Sequence, residues 1–259
     1  MLRNIFWCIR ILLFYCIASI VTVICFLVLR VIHCIPGVKY YYKYRLATVF
    51  SYIFIYLLWL ICGISYEVID KHLLVKENGP FLVLSNHQSF WENIFLQLII
   101  PEHSWVVKQE LFDIPIFGWG LKIMDPIAVN RDDSRSVVGI LKKGQEKLAL
   151  GLSLIMFPEA TRICVHQSTS FKPSAAKLAI NAGVPIILIA HNAGVFWPKG
   201  FWLKNSGTIQ VKILEIITPD TILRHNTRSL TAYIEATINN EKDLLAARAV
   251  ETSNLACSQ

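Results

Sequence analysis

Two short stretches of this 259-residue sequence bring together side chains that can do chemistry. In Ser85-Asn86-His87-Gln88-Ser89-Phe90-Trp91-Glu92, a histidine stands five residues ahead of a glutamate. An imidazole with a carboxylate on Nδ1 has its tautomer fixed and keeps Nε2 to take a proton. Such a base suits attack by an alcohol on a thioester, because a hydroxyl with a pKa far above 7 is a weak nucleophile unaided. In Phe157-Pro158-Glu159-Ala160-Thr161-Arg162, a carboxylate, a hydroxyl and a guanidinium follow an apolar run. Arg162 can grip a phosphate through paired N–H bonds, and Thr161 can donate to it. Lys172, after Phe171, adds positive charge nearby.

Neither stretch decides function by itself. Seven histidines and 18 acidic residues give about half a chance match to the His-to-acid spacing. Ser89-x-x-Glu92 is also a capping box, in which the glutamate serves only a helix N-terminus. The second stretch also reads as a polar turn with a surface Glu–Arg pair, worth little energetically. On the residues alone these readings stay open. Lys177, His166 and His191 lack partners at suggestive spacing and read as structural or surface residues.

The elements that must position these side chains follow from the hydrophobic pattern. Short β-branched runs at Tyr66–Ile69, Phe81–Ser85, Ser104–Lys108, Ile127–Val129, Leu152–Phe157, Pro185–Ala190 and Thr208–Ile216 predict seven strands. Helices are predicted at Trp91–Ile100, Ser134–Leu150, Ser174–Ala182 and Thr227–Ala246. The alternation predicts an α/β fold with a mixed, largely parallel sheet flanked by helices. In such sheets ligands gather where strands exit toward helices. That rule picks out Ser85–Glu92, Val129–Asp133 and Phe157–Arg162.

Ahead of the sheet the texture differs. Ile11–Leu29 and Leu46–Gly63 carry no charged residue, and each approaches the ~20 residues that an apolar helix needs to cross a bilayer. Hydrophobic residues make up 54% of the chain. No acidic residue precedes Glu67, whereas Arg3, Arg10, Arg30, Lys39, Lys43 and Arg45 do, and these account for most of the net charge of +7. The basic aromatic connector from Lys39 to Arg45 suits an anionic lipid surface better than a nucleic acid. The first apolar run exceeds a signal core and lacks a small-x-small site after it, so it is expected to be retained. A shallow helical pair in one leaflet avoids setting connector and main domain on opposite sides. Seven cysteines without a CxxC pair read as thiols in a reducing compartment. The expected organisation is membrane-associated helices over 1–64, an α/β domain over 65–249 and a flexible polar tail over 250–259.

His-x4-Asp/Glu followed by Phe-Pro-Glu-Gly-Thr-Arg is the signature of the glycerolipid acyltransferases, and this chain resembles that family from about Val68 to Ile217. His87 and Glu92 match the first block, Ile127–Arg131 the second, Phe157–Arg162 the third and Val184-Pro185-Ile186 the fourth, all in order. Lys108, Phe117-Gly118-Trp119-Gly120 and Ala190-His191-Asn192-Ala193-Gly194 are similar to further family stretches. Glu92 stands for the commoner Asp, and Ala160 for Gly. If position 160 needs a positive φ, its Ala costs about 1 kcal/mol or more.

The resemblance implies transfer of an acyl chain from acyl-carrier protein or coenzyme A to the sn-2 hydroxyl of 1-acyl-glycerol 3-phosphate, giving phosphatidic acid. It implies His87 as base and Glu92 as its partner. Lys108, Arg131, Thr161 and Arg162 would hold the acceptor phosphate, and Glu159 would position Arg162 or the acceptor. It implies no metal or other cofactor beyond the thioester co-substrate. The expected location is a bacterial inner membrane, with the catalytic domain on the cytoplasmic side. A lysocardiolipin-type acceptor, a thioester hydrolase and a non-catalytic membrane scaffold are the rival readings.

Overall fold

The computed structural model describes residues 2–75, 79–130, 136–203 and 205–257. Two long apolar helices, α1 (Leu2–Cys34) and α2 (Tyr40–Cys62), precede an α/β domain. In chain order the domain contains β1 (Ile64–Ile69), β2 (Leu82–Ser85), α3 (Trp91–Ile99), β3 (His103–Lys108), α4 (Phe117–Met124) and β4 (Ile127–Val129). It continues with α5 (Ser136–Ala149), β5 (Ser153–Met156), α6 (Ser174–Ala182), β6 (Ile186–His191), α7 (Ala193–Phe196), β7 (Gly207–Ile217), α8 (Pro219–Ile222) and α9 (Thr227–Cys257).

The strands form one sheet in the order β1-β7-β6-β2-β5-β3-β4. Every pairing is parallel except β6 with β7, so the sheet is mixed and largely parallel. Both faces are covered, which explains why β2, β5 and β6 are continuously apolar or buried rather than alternating. Val83, Ile155, Ile187 and Ile189 face a core shared with α1, α2 and α3. Leu82, Leu84, Leu154, Met156, Ile186 and Leu188 face a second core with α5, α6 and α9.

All seven expected strands are present. Helix α4 was not expected from the sequence, and α9 runs on through 250–257, where a loose tail was expected. No Gly or Pro interrupts the chain between Thr227 and Cys257 to stop that helix. The connector from Lys39 to Arg45 is mostly the first turns of α2 rather than a loop. Its Tyr40 hydroxyl donates to His103 O (3.0 Å) and Tyr44 hydroxyl to Ile100 O (3.3 Å), fastening α2 to the domain. Gly63 ends α2 at a left-handed φ of 65°, with its N–H returned to Trp59 O (2.8 Å).

Both α1 and α2 are long and apolar enough to cross a membrane by length and composition. Helix α1, with 33 residues, extends roughly 50 Å, well beyond a bilayer core of ~30 Å. One stripe of it lies on the domain: Ile11, Phe14 and Ala18 are buried in the first core, and Phe26 meets Trp119. The opposite stripe, including Ile9, Leu12, Leu13, Ile20, Ile24 and Leu27, is exposed. Arg10, one of three arginines on this apolar helix, donates from Nε to Ile61 O at the C-terminus of α2, where the helix dipole favours a cation.

Candidate active site

Parallel pairing places the C-terminal ends of β2, β5, β6 and β3 on one edge of the sheet. β2 lies between β5 and β6, with Leu84 in register with Met156 and Ser85 with Ile189. The loops that follow these three strands therefore meet. His87 leaves β2, Phe157–Arg162 leaves β5, and Asn192 leaves β6.

The His87 side chain is nearly buried, at 12% exposure, and its Nδ1 lies 2.8 Å from Glu92 Oε1. The same oxygen accepts the backbone N–H of Gln88 (2.9 Å) and Ser89 (2.7 Å), while Ser89 Oγ accepts the N–H of Trp91 (3.1 Å). The glutamate half of the expected capping box, Glu92 on the Ser89 N–H, and the His partner are thus one arrangement. Glu92 starts α3 and orients His87 with a single oxygen. Burial alone would raise the Glu92 carboxyl, but His191, His87 and the Ser89 N–H together hold it below the ordinary carboxylate range. Burial pushes the pKa of His191 itself down.

The β5 loop clasps His87 from the other side. The His87 N–H donates to Glu159 Oε2 (2.7 Å), and Ile163 N–H donates to His87 O (2.8 Å). The His87 ring stacks on Phe157 with centroids 4.2 Å apart and planes 11° apart. Glu159, expected to face Arg162 or the acceptor, is instead turned to the backbone of the base. Burial pushes its carboxyl up to about 7, against the His87 N–H and the Lys242 charge, which both lower it. Its Oε1 is buried without a partner among the described residues.

Ala160 has φ 57°, so the position that the family fills with Gly does adopt the left-handed conformation. Its N–H closes a turn onto Phe157 O (3.0 Å). Thr161 is exposed, and Arg162 has no ion-pair partner among the described residues. Lys108 ends β3 and pairs with Glu110 at 2.8 Å, both half-exposed. Arg131 lies outside the described residues.

The pairing of two residues beside the base was not expected from the sequence. Asn86 Nδ2 donates to His191 O (2.9 Å), and Asn86 Oδ1 accepts the His191 N–H (3.0 Å). The His191 ring Nε2 lies 2.9 Å from Asn86 O, and its Nδ1 accepts the Ala193 N–H (3.3 Å). This fully buried pair bolts the end of β2 to the end of β6, immediately before His87. His191 is structural, as its isolation in sequence implied, but the structure it supports is that of the base.

His87 and Arg162 line one cavity, of about 260 Å³. Its other walls are largely apolar and come from α1 (Cys25, Phe26, Leu29), α2 (Leu46, Phe50) and α4 with its approach (Leu111, Phe117, Leu121). The cavity thus combines a base oriented by a carboxylate, a guanidinium without an ion-pair partner among the described residues, and an apolar wall supplied by the two N-terminal helices.

The chain resembles known proteins in both sequence and fold. Residues 67–192 match the family model described as Acyltransferase. The chain is 42% identical to a 1-acyl-sn-glycerol-3-phosphate acyltransferase of Pseudomonas aeruginosa over 160 residues, which is 61% of this chain and 62% of that protein. It is 34% identical to a chloroplastic 1-acyl-sn-glycerol-3-phosphate acyltransferase of Arabidopsis thaliana over 54% of this chain and 40% of that one. The aligned part thus spans less than two thirds of the length of either relative. The crystal structure of the 1-acyl-sn-glycerophosphate acyltransferase PlsC from Thermotoga maritima shares the fold, with a TM-score of 0.78 at 22% identity over 95% of this chain and 98% of that one.

Three outcomes are expected of variants at this site. Glu92→Gln keeps an acceptor for Ser89 but loses the charge behind the imidazole, and kcat should fall on the order of 10²-fold or more with the helix intact by circular dichroism. Ala160→Gly relieves the left-handed conformation and should raise unfolding free energy by about 1 kcal/mol in denaturant titration. The folded protein holds the Glu159 proton up to about pH 7, whereas the unfolded chain releases it near 4.5. The native state therefore binds more protons in that window, and wild-type stability falls as pH rises through it. Glu159→Gln removes this contribution, so its stability relative to wild type should climb between those pH values and level off above them.

Proposed function

We propose that this chain transfers a fatty acyl group from a thioester of acyl-carrier protein or coenzyme A to the sn-2 hydroxyl of 1-acyl-sn-glycerol 3-phosphate. The observation that carries this reading is the shared cavity. It has His87 and Arg162 on its lining and walls built by α1 and α2, so a polar reacting end and an apolar chain both have a place. The matched family and the names of the relatives support the same substrate class.

With Nδ1 committed to Glu92, His87 Nε2 takes the hydroxyl proton as the oxygen attacks the thioester carbonyl. The anionic Glu92 stabilises the imidazolium that forms. As the tetrahedral intermediate collapses, the C–S bond breaks and the thiolate takes the proton back from Nε2. The acyl group passes directly to the acceptor, without an acyl-enzyme. Arg162 holds the acceptor phosphate, assisted by Lys108 at the end of β3 and by Arg131, with Thr161 as a further donor. This chemistry needs no metal or prosthetic group.

Helices α1 and α2 lie in one leaflet of the cytoplasmic membrane, with the domain on the cytoplasmic side. Contacts from Trp7 to Phe26 of α1 with the domain support this, because a perpendicular span would drag the domain into the hydrocarbon. The exposed apolar stripe of α1 is then covered by lipid.

The test is purified full-length protein given a panel of lysophospholipids with each thioester donor, measuring esterified product and free thiol together. Acceptor-dependent release of thiol, matched by phosphatidic acid, is the expected result; thiol release without acceptor would assign a hydrolase. His87→Ala should abolish transfer in a folded protein. Arg162→Ala should raise the acceptor KM more than the donor KM, and an unchanged acceptor KM would remove Arg162 from the phosphate site.

A further inference from the structure

Beyond α1 and α2, one other surface has the character of a lipid contact. The turn after α7, residues 198–203 (Pro-Lys-Gly-Phe-Trp-Leu), carries Phe201 and Trp202 side by side at 48% and 54% exposure. Two adjacent large aromatics at a loop tip are not placed there by packing of the domain. Leu203, the next residue, is 3% exposed and sits in the first core, so the tip is rooted.

The loop is fixed to α1, along the same half of the helix whose other face is exposed and apolar. Tyr15 stacks on Phe201 with centroids 4.0 Å apart and planes 19° apart. The Tyr15 hydroxyl donates to Phe201 O (2.6 Å), and Trp7 Nε1 donates to Leu203 O (3.1 Å). These two bonds matter because irregular backbone in contact with lipid must find internal partners for its carbonyls. Here they come from side chains of the apolar helix itself. Lys199, exposed at the start of the turn, can reach an anionic headgroup while the aromatics sit deeper.

We propose that residues 198–203 form a second membrane anchor, with Phe201 and Trp202 inserted at the interface of an anionic bilayer beside α1. The loop sets the depth and tilt of α1, and with it the height of the cavity walls above the lipid. This rests on the reading of α1 and α2 as embedded in one leaflet. Trp and Tyr favour this depth because their rings are apolar while their polar atoms stay near water.

The experiment uses the full chain in vesicles of phosphatidylglycerol and phosphatidylcholine, the latter with bromine near the headgroup end of its acyl chains. Emission of Trp202 is obtained as wild type minus Trp202→Phe, and that of Trp59, exposed on α2, as wild type minus Trp59→Phe. Both should shift to shorter wavelength on vesicle addition, lose intensity to bromine and be protected from aqueous iodide. If Trp59 behaves so while Trp202 is quenched by iodide and untouched by bromine, the loop is outside the membrane and the proposal is overturned. If Trp59 also answers only to iodide, embedding of α2 itself fails and the anchor falls with it. Emission from Trp202 that responds to acyl-carrier protein but not to vesicles would assign the loop to a protein partner instead, and equally overturn it.

Discussion

One oxygen atom organises the candidate site. Glu92 Oε1 receives the His87 imidazole and two successive backbone N–H groups, and each of those bonds constrains a different part of the loop. A buried carboxylate is costly unless its charge is met by donors. Here the donors are the groups that must be ordered for a base to work. The loop from His87 to Ser89 is wound around the carboxylate, and α3 begins where that winding ends. The sheet contributes by bringing the exits of β2, β5 and β6 together, so that Glu159 and the Asn86–His191 pair hold the loop from outside.

How much of this was legible in the sequence depended on how far apart in the chain the partners lie. The pairing of His87 with Glu92 is local, and its two readings, cap and orienting group, are both true because one oxygen does both. The seven strands were legible because short β-branched runs between turn residues leave few alternatives. Helix α4 was not, since Gly118 and Gly120 lower its propensity. It forms because Gly118 lets its first turn close on the preceding one: a Cβ there would lie 2.3 Å from Phe112 O. Glu159 reaches the His87 N–H across 72 residues, and Asn86 reaches His191 across 105. No spacing rule anticipates such contacts, because only strand order creates them.

The apolar N-terminal segment was recognisable from composition, but its use was not. Composition pointed to two apolar helices lying in one leaflet, without showing which face meets protein. The structure divides α1 lengthwise, one stripe on the domain and one exposed, with Arg10 satisfied at the end of α2. The helices are therefore part of the cavity as well as its attachment. A residue such as Phe26 looks like membrane filler in sequence and is a wall of the candidate site in space.

That double duty has a consequence during synthesis. Helices α1 and α2 leave the ribosome before any strand of the sheet, and β6, whose His191 holds the end of β2 beside His87, follows about 130 residues later. At ~5–20 residues per second the pair waits on the order of 10 s before the surface it will cap exists. Throughout that interval both stripes of α1 are bare, including the one that later faces protein. With the pair embedded as proposed, lipid covers the future inner stripe first and is stripped from it as the domain docks. Assembly of the site is therefore an exchange of one apolar neighbour for another, and its final driving force is the tighter fit of Phe14 and Phe54 against Trp197 rather than escape from water.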